Sequence, residues 1–229
     1  AFGYQALDAN TTAENNTAIG RLAGTGITTG GLNTIVGAAA MQLNSTGANN
    51  VAVGASALAA ALGSDNVAVG KSAGDAVTTG ANNILMGTDA GGSLTTGNRN
   101  VIVGKDAFSQ ATTISDVTAV GFKALESAAG TGHTAVGYQA GLDITTAVQG
   151  TYVGHEAGFN LTTGNNNVAI GYGALANATT GTPNVAVGTS ALSNCNGAEN
   201  NGVGTSAMLS LTTGNYNTAL GSGAGYYIS

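Results

Sequence analysis

The sequence predicts an all-β fold, a parallel β-solenoid of about fourteen coils, on three observations: a repeat of 16–17 residues throughout, a short apolar strand in each copy, and a near absence of charge. The repeat has the form N-x-A-V-G-x-x-A. Its glycines are Gly3, Gly20, Gly37, Gly54, Gly70, Gly87, Gly104, Gly121, Gly137, Gly154, Gly171, Gly188, Gly204 and Gly221. An alanine stands three residues after each of them, from Ala6 to Ala224. The spacings run 17, 17, 17, 16 and then repeat, so that residues 59–125 align without a gap on 126–192. One solenoid domain over 1–229, grown from a 67-residue block, is the expected organisation.

The three residues before each glycine form the strand, as in Val51-Ala52-Val53 and Val101-Ile102-Val103. The first and third point to one face and the second to the other. The third is always apolar. The second is mostly Ala, with Ile35, Leu85, Ile102 and Tyr152 as larger variants and Gly202 as a smaller one. A strand with one wet face alternates apolar with polar, so this strand is expected to be covered on both faces. A coil this short encloses little more than one layer of Val or Ile. The Ala side is then expected to pack on another copy of the chain, and the Ala after the glycine to join it. Packing of these alanines within one coil is the other reading.

The remaining positions read as turns. Asn precedes most strands (Asn16, Asn33, Asn50, Asn66, Asn83, Asn100, Asn167, Asn184, Asn200, Asn217). Asn tolerates left-handed backbone, bonds locally and can stack into ladders. The motif glycine is expected to supply a positive φ or a close backbone approach. Thr-Thr-Gly closes several connecting loops, for example Thr95-Thr96-Gly97. Stacking at about 4.8 Å per coil predicts a rod on the order of 65 Å long.

Composition narrows the function. Charged residues make up 7%, the net charge is −6, and the five cations (Arg21, Lys71, Arg99, Lys105, Lys123) are scattered, which argues against nucleic-acid binding. No stretch reaches the roughly 18 apolar residues of a membrane-inserting segment. The chain opens at Ala1 inside a repeat and is read as a fragment of a longer protein. No constellation supports an enzyme, a cofactor or a metal site: His133 and His155 fall at turns and are expected at the surface, and no calcium-loop spacing occurs. The aromatic residues directly after a motif glycine, Tyr4, Phe122, Tyr138 and Tyr172, are candidate surface-contact residues. Packing over the neighbouring coil or subunit is the alternative for them.

The segments "NNVAVGASAL", "HTAVGYQAG" and "NNVAIGYGAL" resemble the head repeats of trimeric autotransporter adhesins, the YadA-like left-handed β-roll, which also occur in phage tail-fibre proteins. The resemblance implies a left-handed homotrimer without cofactor or catalysis. It also implies an extracellular place on a cell surface or virion fibre, and a host-surface protein or glycan receptor as partner. The repeat here is longer than in those heads, and the Thr-Thr-Gly loop is an addition. A self-assembling extracellular filament and a monomeric ice- or surface-binding solenoid are the alternatives.

Overall fold

The computed structural model describes residues 1–228 and contains no helix among them. The chain divides into two compact units, residues 1–116 and 117–229. The first unit holds β1 (Thr17–Ile19), β2 (Thr34–Val36), β3 (Val51–Val53), β4 (Val67–Val69), β5 (Ile84–Met86) and β6 (Val101–Val103), each pairing in parallel with the next. The second holds β7 (Thr118–Val120), β8 (Thr134–Val136), β9 (Thr151–Val153), β10 (Val168–Ile170), β11 (Val185–Val187), β12 (Asn201–Val203) and β13 (Thr218–Leu220), paired in the same way. The fold is thus a parallel β-solenoid of about twelve turns with a repeat near 17 residues. Thirteen of the fourteen expected copies form a strand, and these bound about twelve full turns; the first copy contributes only the bridge from Phe2 to Ile19.

The motif glycine sets the stacking. Its φ lies between +124° and +144°, a region closed to residues with a Cβ. Its position is also closed by space: a Cβ on Gly70 would lie 2.5 Å from the Gly87 carbonyl oxygen. Coil therefore rests on coil at backbone contact. The glycine N–H continues the sheet by donating to the preceding coil, as Gly70 does to Val53 at 2.8 Å. The expectation for this glycine holds on both counts. The expectation for Asn is displaced by one residue, because left-handed backbone falls on the residue before the Asn: Asn15 at φ 59°, Leu32 at 62°, Arg99 at 57°.

The strand is inverted relative to expectation. In every strand from β1 to β12 the second residue is buried, and the first and third are half-exposed or exposed. The Ala side, not the Val side, faces the coil's own core. The alanines three residues after the glycine, from Ala23 to Ala207, are likewise buried within the chain, so they need no second copy to cover them. The reason is volume. The interior also receives residues four and seven positions after the glycine, and these exchange bulk. Where the fourth is Gly the seventh is large (Gly24 with Ile27, Gly91 with Leu94, Gly158 with Leu161). In most coils where the fourth is large the seventh is small, as in Leu58 with Ala61, Leu175 with Ala178 and Leu192 with Cys195; Met208 with Leu211 is an exception. The lone cysteine is thus a small core residue. Large strand centres are met by glycines: a Cβ on Gly24 would stand 2.8 Å from Ile35, and one on Gly91 2.9 Å from Leu85.

A buried Asn ladder runs along the interior. In the first unit each Asn Oδ1 accepts the backbone N–H of the next Asn, at 2.8–3.0 Å from Asn16 to Asn100. Its Nδ2 donates to the carbonyl 13–14 residues on, such as Asn66 to Gly80 at 2.9 Å. The ladder resumes from Asn167 to Asn217 in the second unit. Burial makes these bonds consequential, since an orphaned buried amide costs about 1–3 kcal/mol. Asn66→Ala removes the acceptor of two Asn83 bonds and is expected to destabilise by about 3 kcal/mol in urea unfolding. Thr79→Ala at the exposed loop is expected to stay within about 0.5 kcal/mol.

Candidate functional site

Three of the four aromatic residues marked in the sequence meet, and a fourth ring completes them. Phe122, Tyr138, His155 and Tyr172 follow the motif glycines of β7, β8, β9 and β10 and form one stack on the surface. The ring centroids are 5.4, 4.7 and 5.1 Å apart, with interplanar angles of 18°, 19° and 21°. These distances approximate the spacing of parallel strands, so identical register places one ring over the next. Tyr4 stands apart in the first unit, 70% exposed. His155 reads in the sequence as a turn histidine, although its position directly after Gly154 is the same register mark that the others carry.

The stack decides which parts of the rings meet solvent. Each face of Tyr138 and His155 is covered by a neighbouring ring, so the edges are presented rather than the faces. Lys123 lies 5.9 Å from the Phe122 centroid and pairs with Glu126 at 3.1 Å, and Glu156 stands 3.8 Å from the His155 Nδ1.

Behind this stack the interior ladder is interrupted. The Asn position is taken by Val117, His133 and Gly150 in three successive coils. His133 is buried, 1% exposed, against the expectation of a surface histidine. It stands in for Asn with the same two bonds: its Nδ1 accepts the Gly150 N–H at 3.1 Å, and its Nε2 is 2.8 Å from the Ala147 carbonyl. A carbonyl only accepts, so Nε2 carries the proton and the ring is neutral. Burial holds its pKa below the ordinary histidine value. Gly150 has no side chain to continue the ladder. The vacated space is taken by Tyr152, whose ring is 6.0 Å from that of His133 and whose hydroxyl is buried without a partner. Burial raises the pKa of that phenol.

The 67-residue register shows that the two changes go together. Positions 138, 155 and 172 correspond to Lys71, Thr88 and Lys105, and positions 133, 150 and 152 to Asn66, Asn83 and Leu85. At these positions the 59–125 block has a polar ladder inside and no aromatic ring outside, and the 126–192 block has aromatic groups on both sides; Val117 and Phe122, in the last coil of the 59–125 block, begin the change.

No family model, curated protein or solved structure matches the chain. Among the described residues there is no pocket, and no group of three or more His, Cys, Asp or Glu placed to hold a metal ion. What the site presents is a surface of stacked ring edges, hydroxyls and flanking charges.

Tyr138→Ala removes two ring contacts and is expected to cost about 1–2 kcal/mol by urea unfolding, with loss of the near-ultraviolet dichroism of the stack. Tyr152→Phe removes a buried hydroxyl that has no partner and is expected to leave thermal stability unchanged or raise it by about 1 kcal/mol.

Proposed function

We propose that this chain is a non-catalytic segment of an extracellular fibre, three copies assembled side by side, displaying repeated surface sites to a host-surface protein or glycan. The observation that carries the proposal is the outward face of the strands. Its third positions form an unbroken apolar row in each unit: Ile19, Val36, Val53, Val69, Met86 and Val103 in the first, and Val120 to Leu220 in the second. Ile19, Met86, Val136 and Ile170 are 38–46% exposed in the single chain. Contiguous apolar surface of this kind marks an interaction site. Packing this row against other copies would bury it, whereas the alanines are already covered.

Three copies are proposed from the likeness of "NNVAVGASAL" and "HTAVGYQAG" to trimeric adhesin and tail-fibre repeats, and the left-handed coil is part of the same reading. Display on a repeat suits attachment because weak contacts sum when many engage together. The ring stack of the second unit is the most distinctive surface offered, and its edges and hydroxyls suit polar partners such as glycans or peptide groups.

Sedimentation equilibrium of the chain at micromolar concentration is expected to give the mass of three copies. Val53→Asp places a charge on the apolar row and is expected to yield a monomer with unchanged far-ultraviolet dichroism. A wild-type chain that sediments as a monomer would end the trimeric reading.

A further inference from the structure

We propose that the coils carrying β8 and β9 form an acid-sensitive joint, where the second unit opens locally when His133 takes up a second ring proton. The geometry commits this imidazole to its neutral form. Both nitrogens are in use inside the core, Nδ1 as acceptor from Gly150 and Nε2 as donor to Ala147. A proton on Nδ1 would set N–H against N–H, remove the Gly150 bond that carries the ladder from His133 to the next coil, and leave a cation in dry surroundings. The other ladder positions hold Asn, Val or Gly and do not titrate, so this response is confined to one place.

The surroundings offer the cation no compensation. The groups that face the ring are the Ala147 carbonyl, the Gly150 amide, the Gly130 backbone and the Tyr152 ring. The ionisable side chains of these coils, Lys123, Glu126, Asp143, His155 and Glu156, are half-exposed or exposed. Opening also releases the Tyr152 hydroxyl, unpartnered in the closed core, to water. The joint therefore gains hydration on opening at a point where the Asn ladder is already broken.

The direction follows from linkage. The closed form binds the second proton less readily than the opened form, whose histidine titrates near the ordinary value of about 6.5. The joint is closed at neutral pH and loosens as the pH falls below that value. Over the window between the two pKa values, the opening equilibrium rises about tenfold per pH unit for one proton taken up.

Amide hydrogen exchange of the full chain between pH 7.5 and 5, corrected for intrinsic exchange, tests this. Protection at the Gly150 and Thr134 amides is expected to fall about tenfold per pH unit below about 6.5, while the Asn184 and Asn200 ladder amides hold. His133→Asn restores the residue used elsewhere in the ladder and is expected to abolish the fall. His155→Asn, on the surface of the same coils, is expected to retain it. Protection that is flat in the wild type, falls equally at all ladder amides, or falls as steeply in His133→Asn would overturn the joint. Nitrogen-15 spectra of the wild-type histidines give an answer independent of any variant: Nε2–H on His133, with titration accompanying the loss of protection, supports it, and titration without that loss refutes it.

Discussion

Everything in this protein depends on backbone meeting backbone at the motif glycine. With a Cβ excluded at Gly20, Gly70 or Gly188, adjacent coils approach to the separation of paired strands, and every other position of the repeat inherits that separation. Like then lies over like. The buried amides form a ladder because each Oδ1 arrives at hydrogen-bond distance from the next backbone N–H, 2.8 Å from Asn16 to Asn33. The rings of Phe122, Tyr138, His155 and Tyr172 stack for the same reason, their centroids 4.7–5.4 Å apart. Neither row needs its own positioning device; the glycine column supplies it to both.

Close stacking leaves a narrow interior, and the core is filled by exchange rather than by uniformity. A coil with Leu58 or Leu192 four residues after the glycine has Ala61 or Cys195 at the seventh, and a coil with Gly24 or Gly158 has Ile27 or Leu161. Tyr152 is the extreme case. It fits because Gly141, Gly150 and Gly158 all lack the Cβ that would collide with its ring or hydroxyl. The large-to-small pairing conserves volume in most coils, as interiors packed at near-crystalline density require.

The period, the glycine column and the Asn ladder were legible in the sequence because each repeats in fixed register and has a single physical reason to do so. The facing of the strand was not. In Val51-Ala52-Val53 both faces are apolar, so no polar residue marks the outside, and a core of Val appeared a better filler than a core of Ala. The answer lay in the loop residues, whose large side chains already occupy the interior. His133 was misplaced for a related reason: next to Thr131 and Gly132 it has the look of a turn, and only alignment on Asn66 and Asn100 reveals the ladder position. Of the ring stack, Phe122, Tyr138 and Tyr172 were legible as aromatic residues directly after a motif glycine, and their packing over the neighbouring coil was the alternative reading; His155 has the pattern of a turn histidine and is a member of the stack by register.

The second 67-residue block departs from the first on both sides of the same wall. Inside, it exchanges Asn66 and Asn83 for His133 and Gly150; outside, it exchanges Lys71, Thr88 and Lys105 for Tyr138, His155 and Tyr172. A lost ladder bond weakens coil-to-coil cohesion by about 1 kcal/mol net, and a stacked aromatic pair returns about 0.5–1.5 kcal/mol. One stacked pair is thus of the same order as one lost ladder bond. Cohesion moved from the core to the surface also changes what the surface is. Where the first block carries ammonium groups, the second presents ring edges and hydroxyls at one place along a repeat. The fold thereby supports a local surface of its own chemistry without altering the spacing that holds the coils together.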